Sequence, residues 1–113
     1  MKKPLLPLLI SPQRQALLIR ALVKGELPFS ERSRATLQEL MFVRETTKGS
    51  LYGKTGSGYS VDDIEGNNIG WFVGYRSGKG RSYAFACLLQ GEDETGVKAK
   101  QLVEKILEDA GLL

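Results

Sequence analysis

The chain has 113 residues, 42% of them apolar, enough for one compact core and too few for two ordinary domains. Sixteen Lys and Arg stand against 13 Asp and Glu, a net charge of +3, and the basic residues are scattered, so a solvated surface explains them better than a nucleic-acid face. There is no histidine, which excludes an imidazole base, a Ser-His-Asp triad and His-ligated metal within these residues.

In chain order, the opening "MKKPLLPLLI" has a basic start and a short apolar run, but two prolines interrupt it and no small-residue cleavage site follows, so it reads as mature chain. No apolar run approaches the length of a membrane span. Ser11 before Pro12 is an N-cap hydroxyl followed by proline at the first helical position. Ala16, Leu17, Ile19, Leu22 and Val23 then continue a one-sided pattern to Gly25, which predicts a helix over 12–24. Pro28, the cap Ser30 and Glu31 open a second helix to about residue 42, with Ala35, Leu37, Leu40 and Met41 on its apolar side.

After "RETTKG" the period changes. Residues 50–60, 69–76 and 83–89 read as three strands, with Ile69, Trp71, Val73 and Tyr75 alternating against Gly70, Phe72 and Gly74. Trp71 and Phe72, on opposite faces, read as packing anchors. "SGKG" makes a glycine-containing hairpin loop between the second and third strands. Residues 83–89 are apolar on both faces and so are expected to be buried between layers, with Cys87 packed as a small hydrophobe. Asp62, Asp63 and Glu65 read as a polar turn, since no further oxygen ligands stand at calcium-loop spacing. Ala99, Leu102, Val103, Ile106, Leu107 and Ala110 stripe a last helix over 96–110, stopped by Gly111. The expectation is a single domain over 1–113, α/β of the α+β type, a three-stranded antiparallel sheet with packed helices in the order α-α-β-β-β-α.

The stretch "GSLYGKTGSGYS" carries the one motif with chemical content. It is not a phosphate cradle: only three residues separate Gly49 from "GKT", and "GSGYS" is poor helix material. Alone, Lys54-Thr55-Gly56 could be a chance triplet. Its context is more specific: a first strand, then "NNIGWFVGY", an apolar strand and a terminal amphipathic helix, preceded by "ISPQRQALLIRALVKGELPFSERS". From about Leu9 to Leu113 this set resembles the C-terminal part of class D serine β-lactamases and of the related penicillin-sensor and penicillin-binding, transpeptidase-like domains.

The resemblance implies a wall of a cleft for a β-lactam or peptidoglycan-like ligand. Lys54 would supply a cation, Thr55 a hydroxyl for the ligand carboxylate, Gly56 room for the ligand beside the strand, and the Ser57 backbone N–H one oxyanion donor. Where many class D enzymes hold the carboxylate with an arginine, this chain offers Lys98 or Lys100, which equally suit a solvated helix face. No cofactor is implied, and the resembled family is typically periplasmic or cell-envelope.

The family's nucleophile is a serine in Ser-x-x-Lys, and none of the eight serines here, from Ser11 to Ser82, has a lysine three residues later. The resemblance therefore implies a portion that is inactive alone. It also implies that the strand at 83–89, lacking the strands that flank it in the family, presents an open apolar edge to a second copy or to a complementary N-terminal half.

Overall fold

The computed structural model describes residues 11–59 and 68–113. Its elements are α1 (Pro12–Lys24), α2 (Glu31–Met41), β1 (Phe42–Glu45), β2 (Ser50–Tyr59), β3 (Asn68–Gly78), β4 (Arg81–Gly91) and α3 (Gly96–Asp109). The helix starts follow the caps read from sequence. Ser11 Oγ accepts from the Arg14 N–H at 3.2 Å and Ser30 Oγ from the Ser33 N–H at 3.1 Å, each satisfying a first-turn donor that has no partner inside the helix. Gly25 ends α1 in the left-handed region at φ 73°, the conformation a side chain would resist.

The sheet has four strands, not the expected three, in the order β1-β2-β3-β4 with each neighbouring pair antiparallel. The additional strand is β1. Its four residues are too few to display an alternation, and they follow α2 with no glycine or proline between, so the sequence reads as a helix ending at about residue 42 followed by a connection. Pairing decides otherwise. Phe42 turns extended at φ −59°, ψ 129°, its ring meets Tyr52 edge-on at 5.6 Å, and Arg44 and Glu45 pair with Leu51 and Ser50. Thr46 closes the connection, its hydroxyl oxygen accepting from the N–H groups of Lys48 and Gly49 at 3.1 Å.

One face of the sheet is covered by α3. Ala99, Val103 and Leu107 pack there on Leu51 and Phe72, which are 0% and 1% exposed, with Leu113 closing the end. The other face carries α1 over β3 and β4, and α2 touches β2 more thinly. Residues 83–89 lie between α1 and α3 but are only partly buried: Tyr83 and Leu88 stay 39% and 40% exposed. The reason is position. β4 is an outer strand among the described residues and α3 sits mainly over β3, which leaves Tyr83, Leu102 and Ile106 open on that face, while Leu88, opposite Trp71, lies on the other face. No helix among the described residues is long and apolar enough to cross a membrane. The acidic turn at Asp62, Asp63 and Glu65 and the opening ten residues lie outside the described residues.

Candidate functional site

Alternation along β2 sorts the Lys-Thr-Gly stretch onto two faces. Thr55 stands opposite Phe72 in the register, and cross-strand partners share a face, so Thr55 and Ser57 point toward α3 while Lys54 and Gly56 point away from it. β3 pairs with the whole of β2, from Ser50 opposite Ser77 to Tyr59 opposite Asn68. β1 pairs only with Ser50, Leu51 and Tyr52. From Gly53 onward, the other edge of β2 therefore has no neighbouring strand among the described residues, and half of its backbone donors and acceptors there face outward.

Lys54 is exposed, and its ammonium donates to the Thr55 carbonyl at 2.5 Å; it has no carboxylate partner among the described residues. Thr55 is half-buried, and its hydroxyl makes no hydrogen bond to a described residue. Ser57 is the contact to the last helix: its Oγ accepts from the Gly96 N–H at 2.9 Å, the first residue of α3. The positive end of that helix is thus held against Thr55–Ser57. Thr95 caps it, taking the Lys98 N–H at 3.2 Å. Lys98 is exposed and Lys100 half-buried in the same turn, neither in an ion pair with a described residue.

Two glycines make this approach possible. A Cβ on Gly70 would lie 2.1 Å from the Thr95 carbonyl carbon, and one on Gly96 would lie 2.7 Å from the Gly56 carbonyl oxygen. Neither was singled out from sequence, where a glycine in a strand or beside a helix cap has many explanations. Gly56 has a different occupant from the one expected. A Cβ there would fall 2.0 Å from Trp71 Cζ2, so the space a side chain would take on that face is filled by the indole of the facing strand. Trp71 and Phe72 do anchor opposite faces, as their spacing predicts, with Phe72 under α3 and Trp71 over Gly56. Among the described residues no group of acidic or cysteine side chains could hold a metal ion.

Comparison with known proteins identifies the family. Residues 7–108 match the penicillin binding protein transpeptidase domain. The chain is 35% identical over 106 residues to the probable beta-lactamase YbxI of Bacillus subtilis (strain 168), spanning 94% of this chain and 37% of that protein. It is 33% identical over 105 residues to the regulatory protein BlaR1 of Staphylococcus aureus, spanning 92% of this chain and 17% of that one. Among solved structures, the C-terminal domain of the Bacillus licheniformis BlaR penicillin-receptor superposes with a TM-score of 0.82 at 30% identity, covering 92% of this chain and 42% of that one. A class D beta-lactamase from Bacillus subtilis superposes at 0.73 with 35% identity, covering 92% and 40%. The chain thus spans less than half the length of these relatives. A four-stranded antiparallel sheet with the terminal helix seated on a Lys-Thr-Gly strand, and a match over nearly its whole length, place this chain in the penicillin-binding protein transpeptidase family, beside the class D beta-lactamases and the BlaR penicillin receptors.

Proposed function

We propose that this chain is the C-terminal portion of a penicillin-recognising fold and forms the Lys-Thr-Gly wall of a β-lactam-binding cleft, without hydrolysing the ligand by itself. The observation that carries the reading is the edge of β2 beyond Gly53, which has no neighbouring strand among the described residues, with the Lys54 ammonium exposed, without a carboxylate partner among those residues, and the N-terminus of α3 held beside Thr55. Lys54 and the Thr55 hydroxyl offer a charge and a donor to a carboxylate, and the Ser57 backbone N–H serves as an oxyanion donor. Chemistry stops at binding, because no Ser-x-x-Lys is present to form the acyl intermediate. Gly56 contributes by admitting Trp71, which places an indole beside the site.

The test is a penicillin titration followed by Trp71 fluorescence, with nitrocefin turnover measured in parallel. A saturable change at millimolar ligand, lost in Lys54→Ala, together with no turnover, is expected. Hydrolysis that disappears in Lys54→Ala would overturn the inactivity, and a flat titration would remove the ligand reading altogether.

A second reading has its own observation. Among the described residues β4 pairs on one side only, and beside it a groove of about 560 Å³ runs between β4 and α3, walled by Phe85, Cys87, Leu89, Leu102 and Ile106. A non-catalytic module that associates through this edge, with a second copy or with a chain supplying the complementary half, fits that surface. The two readings are compatible, since the β2 edge and the β4 edge are opposite sides of one sheet.

A further inference from the structure

Arg76 is a buried arginine without a counter-ion among the described residues. It is 6% exposed, its Nε donates to the Leu112 carbonyl at 2.8 Å and its Nη2 to the Lys48 carbonyl at 2.6 Å. Nη1 has no acceptor among the described residues, and no carboxylate pairs with the side chain. A desolvated cation balanced by carbonyl dipoles alone is an expensive arrangement, and its surroundings are shaped for it. A Cβ on Gly49 would lie 2.6 Å from Nε, and one on Gly78 would lie 2.5 Å from Nη2, so two glycines leave the space the guanidinium fills.

The same guanidinium forms the floor of a hollow of about 340 Å³ between the turn after β1, the β3–β4 hairpin and the end of α3. Its walls carry Lys48, Lys79, Arg81, Thr47 and Tyr83. None of these lysines and arginines has a carboxylate partner among the described residues, whereas Arg34, Arg44 and Lys105 each do. Arg81 donates from Nη1 to the Tyr83 hydroxyl at 3.2 Å, which leaves the phenolic proton free for an acceptor in the hollow. Four cations gathered around one cavity repel one another when it holds only water.

We propose that this hollow is an anion site for a phosphate-type oxyanion, separate from the Lys-Thr-Gly strand. Donors arrive from three chain segments and from different directions. That suits a tetrahedral, multiply charged group better than a planar carboxylate, which offers two oxygens in one plane. Free phosphate compounds and the headgroups of acidic lipids share this chemistry, and the measurement separates them.

The probe is inorganic pyrophosphate, titrated into the full chain by calorimetry at low salt. Saturable binding at one site is expected, weakened by about tenfold or more in Lys79→Ala/Arg81→Ala. Arg14→Ala/Arg32→Ala, two exposed helix arginines with the same loss of charge, is expected to bind as the parent does. Affinity falls as salt is added, and the melting temperature rises with ligand in the parent chain but not in the hairpin variant. Both hairpin residues are exposed, so that variant retains the fold, which its melting curve without ligand checks. Sedimentation with phosphatidylglycerol vesicles is the second arm: binding to vesicles and not to pyrophosphate, lost in the hairpin variant, assigns the site to lipid headgroups. Binding to neither probe, or equal weakening in the two double variants, overturns the proposal.

Discussion

Tyr75 shows how a single side chain records its surroundings. It is 3% exposed, stacks on Tyr52 with ring centroids 4.6 Å apart and planes 8° from parallel, and bonds to Gln38. Burial, then the neighbouring Tyr52, push its phenol up to about 12 from 10.0, while Arg34 and the Gln38 bond act in the opposite direction. A raised value in the folded state means that its contribution to stability is intact below pH 10 and is lost as pH climbs toward 12. Urea unfolding between pH 8 and 11.5 is expected to show that decline, and Tyr75→Phe to flatten it while leaving the stack in place. An unchanged slope in the variant would show that other groups carry the alkaline loss. Legibility at this scale follows sequence separation. The caps Ser11 and Ser30 could be read because each bonds three residues ahead. Arg76 could not, because its acceptors lie 36 and 28 residues away.

At the scale of elements, the decisive contact is the seating of α3 on β2. The apolar stripe of the helix is visible in the sequence and its burial follows, but only Ala99, Val103 and Leu107 reach the sheet. What sets the helix N-terminus beside Thr55 is the absence of side chains at Gly70 and Gly96 and the bond from Gly96 to Ser57. Gly70→Ala would drive a methyl group into the Thr95 backbone, which cannot swing aside as a flexible side chain can. Overpacking of this kind costs about 1–3 kcal/mol. The variant is expected to unfold at lower denaturant and to lose part of the penicillin-induced Trp71 signal. Parent-like denaturation would mean that α3 tolerates displacement and does not depend on this close approach. β1 belongs to the same scale: four residues carry no pattern of their own, and their strand exists because β2 is there to pair with them.

Across the whole molecule, the sheet formed by the described residues ends in two unlike edges. One is the outer part of β2, lined by Lys54; the other is β4, flanked by an apolar groove. Large apolar side chains are also exposed, among them Leu17, Leu40, Leu88 and Ile106 at 40–76% exposure. Light scattering after size exclusion is expected to show concentration-dependent association, reduced in Leu88→Lys/Ile106→Glu. A monomer at high concentration would rule out self-pairing and leave the complementary chain as the partner of that edge.

The amino-acid order by itself determined the three helices, the caps Ser11 and Ser30, the β3–β4 hairpin and a strand bearing Lys54, Thr55, Gly56 and Ser57, since these depend on hydrogen bonds and side-chain periods spanning a few residues. Only the tertiary structure decided that Phe42–Glu45 is a strand, that Trp71 fills the space at Gly56, that Tyr83 and Leu88 stay partly exposed, and that Arg76 sits beneath a hollow of cations. Each of these rests on groups far apart in the chain, whose meeting is fixed by sheet register and by the packing of α3, and neither leaves a local signature.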